Sequence, residues 1–167
     1  MIVIVEGIDK TGKTTLIERL EEKGFISVKD SSPRARTPEE EAEKLFTYVS
    51  VISHIGVRHD VAVDRCHGTE SVYGFLDRGY LSNSVLEVDL ELARNPEVVL
   101  VIMIREDTTN IEGRDLSRHQ ICFVVFGGQL SKIGRVIFGE LTTIDKVIDA
   151  IMQYKAENEE ALSNGLH

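Results

Sequence analysis

The stretch Gly7-Ile8-Asp9-Lys10-Thr11-Gly12-Lys13-Thr14 constrains this chain more than any other, because it fits G-x-x-x-x-G-K-S/T directly after the apolar run Ile2-Val3-Ile4-Val5. The β-branched run reads as a buried strand, and the residues after the loop read as a helix with Leu16, Ile17 and Leu20 on one face. Strand, glycine loop and helix in that order make a phosphate cradle. Gly7 and Gly12 let backbone N–H groups turn inward around phosphate oxygens, Lys13 reaches the β/γ-phosphates, and the Thr14 hydroxyl can ligate Mg²⁺. The partial positive charge of the helix N-terminus points at the same anion. The expected ligand is a nucleoside triphosphate held by Gly7, Ile8, Asp9, Lys10, Thr11, Gly12, Lys13, Thr14 and Thr15.

Beyond the loop, strand-like runs alternate with helical patterns, which predicts an α/β fold: five parallel strands with helices on both faces. The strands are expected at residues 2–5, 25–28, 61–64, 98–104 and 136–138. Thr37-Pro38-Glu39-Glu40 reads as N-cap, N1 proline and capping-box glutamate, opening a helix through Leu45, Phe46, Val49 and Ile52. A second helix is expected over 84–94, burying Leu86, Leu90 and Ala93 before Asn95-Pro96 stops it. The last helix starts at Thr142-Thr143-Ile144-Asp145 and turns Val147, Ile148, Ile151 and Met152 inward, with residues beyond Ala156 expected to fray. Residues 121–126 are β-branched and aromatic, yet a parallel sheet needs a crossover helix there, so they are assigned helical, ending near Gly127-Gly128.

A chain of 167 residues with 42% hydrophobic content suits one domain, expected over 1–156, with an acidic tail at 157–167. The net charge of −9 argues against a nucleic-acid groove, which needs a lysine and arginine excess on one face. No run approaches the roughly 18 apolar residues of a membrane span. Cys66 and Cys122 lack metal-ligand spacing and read as reduced thiols, so a cytoplasmic setting is expected.

Four polar constellations bear on function. Asp9 sits inside the loop, where its charge beside bound phosphates needs compensation by Lys10 or an acceptor; a turn-stabilising role is the plain alternative. Asp64-Arg65 falls at the carboxyl end of the third strand, where open α/β sheets bind ligands. Arg65 offers a planar fork for phosphate, and Asp64 could orient it or reach the metal. Ser32-Pro33-Arg34-Ala35-Arg36-Thr37 places two arginines before a capped helix, through phosphate reach or simple solvation. Residues 105–119, with Arg105, Arg114 and Arg118, read as a lid over phosphates or as a solvated helix.

Together these residues resemble the thymidylate kinase family, and more loosely the short deoxynucleoside monophosphate kinases of phages. Val5-Glu6-Gly7-Ile8-Asp9 with Gly12-Lys13-Thr14-Thr15 is similar to that family's opening F-E-G-x-D-x-x-G-K-S/T-T. Asp64-Arg65 followed by Ser71-Val72-Tyr73-Gly74 is similar to its D-R-Y segment, Pro33-Arg34 to its acceptor-side arginine motif, and Arg114 and Arg118 to its lid arginines. The chain has Cys66 where the family usually has an aromatic, and a short stretch between Arg36 and Asp64, which leaves the accepted base open.

The resemblance implies a P-loop kinase fold and transfer of the ATP γ-phosphoryl to a deoxynucleoside monophosphate. Lys13 and the loop amides would hold the donor, Thr14 with Asp64 the Mg²⁺, and Arg65 with Arg34 the acceptor phosphate. Asp9 would position the acceptor, and Lys10, Arg114 and Arg118 would neutralise the migrating group. Phe46, and next Tyr48, are the candidates to stack on the acceptor base, with Tyr73 open to the same reading, plain core packing being the alternative for an aromatic at helical spacing. The donor adenine is expected between the lid and residues 139–143. A nucleoside kinase is the nearest rival, and a non-catalytic or switch-type nucleotide-binding protein the rival of another class. The switch is disfavoured by the lack of any N-K-x-D or T-K-x-D guanine motif. Pairing with a second copy as a homodimer stays open.

Overall fold

The β-branched runs form β1 (Ile2–Glu6), β2 (Ile26–Lys29), β3 (Val61–Asp64), β4 (Val98–Ile104) and β5 (Arg135–Glu140). These strands, in a computed structural model that describes residues 1–29, 37–79 and 83–163, pair wholly in parallel in the order β2-β3-β1-β4-β5. Helices α1 (Lys13–Glu21), α2 (Pro38–Gly56), α3 (His67–Tyr73), α4 (Asn83–Arg94), α5 (Ser117–Leu130) and α6 (Ile144–Ser163) cover the sheet. The expected α/β architecture, a five-stranded parallel sheet with helices on both faces, is what the chain adopts.

Period-two alternation divides the central strands between two apolar layers. Val3, Val5, Val99, Val101 and Met103 pack against Leu16, Ile17 and Leu20 of α1 and Ile144, Val147, Ile148 and Ile151 of α6. Ile2, Ile4, Val61, Val63, Leu100 and Ile102 face the opposite layer, built from α2, α3, α4 and α5. With β1 in the centre and the chain leaving it for neighbours on either side, the carboxyl ends of β1, β3 and β4 open on one crevice. Among the described residues, no helix is long and apolar enough to cross a membrane. Among the described residues, neither Cys66 nor Cys122 forms a disulfide.

Residues 121–126 are indeed helical, inside α5. A Cβ on Gly127 would lie 2.8 Å from Ile102 Cγ1 and 3.0 Å from Phe138 Cζ, so the bare glycine lets α5 settle on β4 and β5. Tertiary packing there outweighs the strand preference of the local sequence. Thr37 caps α2 as expected, its Oγ1 accepting from the Glu40 N–H at 3.2 Å.

Two expectations need correction. On α4 the inward residues are Val85, Val88 and Leu92, while Leu86 and Leu90 are 40% and 42% exposed. Both stripes have helical spacing, and the buried carboxylate of Asp89 accompanies the observed one, with its Oδ2 accepting from Ser71 Oγ on α3 at 2.9 Å. At the C-terminus α6 does not fray past Ala156 but continues to Ser163. Asn158 is tied down by Arg135 Nη1 at 2.6 Å and donates to the Pro96 carbonyl at 3.1 Å.

Candidate active site at the carboxyl edge of the sheet

The phosphate loop owes its shape to left-handed backbone at Gly7 (φ 132°), Lys10 (φ 58°) and Gly12 (φ 91°). Gly7 lies so close to the Met103 carbonyl that any Cβ would collide with it, which makes the first glycine of the motif a packing requirement as well. Gly12 is the N-cap of α1, whose first residues Lys13, Thr14 and Thr15 line a cleft of about 520 Å³ with Asp9, Lys10, Lys29, Asp64, Arg65, Glu112 and Leu141. Lys13 is 6% exposed; its Nζ donates to the Ile8 carbonyl and lies 3.4 Å from Thr11 Oγ1, which itself donates to Ile8 at 3.1 Å. Burial first, and then the positive charge of Arg65, bring the Lys13 ammonium down to about 8.

Arg65 follows β3 in left-handed backbone (φ 68°), its N–H bonded to the Val5 carbonyl at 3.0 Å. A non-glycine residue at positive φ costs energy that the surroundings must supply, and such residues cluster at functional sites. The supplier is Glu6, a residue to which sequence reasoning assigned no role. Its fully buried carboxylate accepts from the Cys66 and Gly68 N–H groups at 2.8 and 3.0 Å and from Thr69 Oγ1 at 2.6 Å. Glu6 thereby clamps the turn that presents Arg65 and starts α3.

Asp9 joins the loop to the far wall. One carboxylate oxygen accepts from Arg65 Nη2 and the other from Arg114 Nη2 at 2.8 Å. Burial pushes this carboxyl up, but Arg65, with Lys13 and Arg114 behind it, holds it below its ordinary value. Lys10 Nζ pairs with Glu112 at 3.1 Å, and the Lys10 carbonyl accepts from Arg105 Nη1 at 3.4 Å. The segment 105–116 is therefore fastened to the phosphate loop at three points. It is also rooted in the apolar layer by Ile111 and Leu116, 3% and 2% exposed, and closed by paired Ile111 and Arg114 backbones.

On the other side of Asp9 and Arg65 lies a second cleft of about 320 Å³, lined also by Thr69, Glu70, Tyr73, Asp77, Arg78 and Arg114. The Tyr73 ring packs against His119, centroids 4.8 Å apart, and its hydroxyl is buried without a hydrogen bond among the described residues. Burial, and then the negative charge of Asp9, push that phenol up.

Of the sequence-predicted residues, Asp9, Lys10, Gly12, Lys13, Thr14, Thr15, Asp64, Arg65, Tyr73 and Arg114 line two clefts that share the Asp9 and Arg65 wall, whereas Gly7, Ile8 and Thr11 line neither and the Ile8 side chain packs in the apolar layer. Asp64 also pairs with Lys29 at 2.9 Å across the β2–β3 register. Arg118, in the first turn of α5, lines neither cleft, and Phe46 is half exposed on α2 away from both. Arg34 lies outside the described residues. Glu70, Asp77 and Arg78 also line the second cleft, and pattern reading does not single them out; Glu70 and Asp77 share a helical face with Tyr73, whereas nothing in the sequence signals Arg78.

Protein-family models and curated proteins give no match to this sequence. Solved structures do. The YorR protein of Bacillus subtilis, crystallised in complex with phosphorylated GDP, superposes with a TM-score of 0.66 at 19% identity, over 95% of this chain and 98% of that one. Thymidylate kinase of Ehrlichia chaffeensis superposes at 0.63 and 16% identity, over 92% and 98%. The sheet order, the loop after β1 and these superpositions over nearly the whole length agree: the chain has the P-loop kinase fold of thymidylate kinase type.

Proposed function

We propose that this protein transfers the γ-phosphoryl group of ATP to a nucleoside monophosphate, giving the diphosphate. One observation supports the reading above the rest: a phosphate cradle and a separate cleft meet at a shared wall of Asp9 and Arg65, with Arg114 bonded to Asp9 on the side of the second cleft. A triphosphate in the first cleft would turn its terminal phosphate toward that wall, and an acceptor in the second would bring its own phosphate to the same place. Phosphoryl transfer asks the protein for positioning and charge neutralisation more than for covalent chemistry.

Each residue then has a task. Lys13 and the loop amides grip the donor, with α1 directing its N-terminus at the phosphates. Leu141, exposed and in contact range of Gly12, offers an apolar surface beside which the donor's base would lie. The two arginines share the single Asp9 carboxylate, which leaves the trio with a net positive charge, and an acceptor phosphate would compete for the same two guanidiniums. Lys10, at the tip of the loop, would meet charge developing on the migrating group, while segment 105–116 shields it from water.

Thr14 and Asp64 line the donor cleft together, and a hydroxyl with a single carboxylate suits Mg²⁺, which completes its shell with phosphate and water. When bound, the ion would neutralise phosphate charge.

Arg65→Lys tests the reading. An ammonium cannot reproduce the planar fork, so use of a monophosphate acceptor should weaken by about 10²-fold while ATP affinity stays within about threefold, a difference of under roughly 0.7 kcal/mol. Equal loss of ATP binding, or no loss of acceptor use, would contradict the assignment.

A further inference from the structure

The second cleft is walled in part by the chain running from α3 into a π-helical turn, Gly74–Arg78. Glu70, Tyr73 and Asp77 recur at i, i+3 and i+7, one face of a helix. The π turn, a rare geometry that concentrates at functional sites, then brings Arg78 back over this face. Its Nη2 donates to Glu70 Oε2 at 2.7 Å and lies 3.4 Å from the Glu70 carbonyl. Both side chains are largely buried, 24% and 20% exposed. Behind them, Lys44 Nζ of α2 stands 4.0 Å from Glu70 Oε1, and His119 Nε2 of α5 lies 2.8 Å from Asp77 Oδ1. Two carboxylates and one guanidinium therefore line the same cleft, each with a polar neighbour within reach.

We infer that Glu70 and Arg78, with Asp77, read the base of the acceptor, and that guanine is the base they fit; this rests on the kinase reading above. A carboxylate has only acceptors to offer, so the base edge opposite must supply N–H groups. Guanine alone among the common bases presents two adjacent N–H positions, N1 and N2, beside a carbonyl, O6. Guanidinium groups pair well with its O6 and N7. Thymine has one N–H between two carbonyls, so a second carboxylate oxygen would face a carbonyl. Adenine and cytosine set a ring nitrogen acceptor next to their amino group, and that nitrogen would meet a carboxylate oxygen. A partly dry site whose polar groups are left unmatched discriminates strongly against the wrong ligand.

The test is equilibrium binding, by calorimetry, of the guanosine, adenosine, cytidine and thymidine 5′-monophosphates and of inosine 5′-monophosphate to the parent protein, Glu70→Gln and Arg78→Lys. The guanine nucleotide should bind at least about 10-fold tighter than the others. Inosine monophosphate, which lacks only the 2-amino group, should fall between. Each variant should remove most of that roughly 10-fold guanine preference while affinity for the other bases changes little, a split that a merely structural role would not produce. Tightest binding of thymidine or adenosine monophosphate, or equal weakening of every base in both variants, would overturn the inference. Binding is read without turnover, so a guanine preference in a protein that transfers no phosphate would sink the kinase reading alone. Turnover without that preference would sink only the base assignment, and no monophosphate binding at all would remove both.

Discussion

Glu6 offers the sharpest perturbation, because it ties the end of β1 to the turn that presents Arg65 yet touches neither cleft. Its carboxylate is inaccessible to solvent and accepts three hydrogen bonds, two of them from backbone N–H groups. Glu6→Gln keeps the shape and one acceptor oxygen, so both N–H bonds persist at neutral strength, while the new NH₂ group faces the Thr69 hydroxyl. Hydrogen bonds to a charged group are worth about 1.5–3 kcal/mol against about 0.5–1.5 for neutral ones, so the swap should cost roughly 1–3 kcal/mol. Glu6→Ala strands two buried N–H groups at about 1–3 kcal/mol each and opens a cavity, a loss on the order of 3–6 kcal/mol against a typical total of 5–15. Urea unfolding measures both. With a slope of about 2 kcal/mol/M for a chain of this size, Glu6→Gln should lower the midpoint by roughly 0.5–1.5 M without changing the slope. The folded Gln variant should also bind acceptor less well than donor, since Arg65 is held through this clamp. A Glu6→Gln protein as stable as the parent, or an Ala variant without cost, would refute the clamp.

Lys13 gives a pH prediction. Its folded value of about 8 lies below the ordinary 10.5, so between these limits the unfolded chain binds more protons, and this residue makes ligand-free stability rise with pH across that window. A bound triphosphate restores the ammonium, so ATP binding near pH 8.5 should take up a proton, seen as a buffer-dependent calorimetric heat that vanishes in Lys13→Met; no buffer dependence in the parent would contradict it. For the transition-state charge, Lys10→Ala should lower kcat by about 10² or more with a smaller change in ATP KM, because Lys10 sits within the phosphate loop and lines the donor cleft. Arg114→Ala and Arg118→Ala should be milder singly, and steady-state kinetics showing the reverse order would move the charge to the lid.

The strand–loop–helix grammar of residues 2–20 was legible because each residue type there answers a backbone or phosphate demand that is local in sequence. Arg65 was legible for a topological reason: a polar pair at the end of a buried strand has nowhere to point but the crevice. What could not be read was set by long-range contact. The choice between two equally spaced apolar stripes on α4 goes with the Ser71–Asp89 bond, made with another helix. Glu6 looked like one more motif letter until its partners, some 60 residues on, were adjacent in space. Arg78 depends on a π turn, which no periodicity in the sequence announces. The helical α5, by contrast, was recovered against its strand-like composition, because parallel strands cannot be joined without a crossover.

The central claim, transfer from a triphosphate to a monophosphate, is tested most directly with ATP labelled in its γ-phosphate and Mg²⁺, offered in parallel to nucleoside 5′-monophosphates and to the corresponding nucleosides. The account predicts label in nucleoside diphosphate, with nucleosides left essentially untouched, since the cleft beyond Asp9 presents Arg65 and Arg114 to an acceptor phosphate. Label appearing in nucleoside monophosphate, or released only as inorganic phosphate, would contradict it.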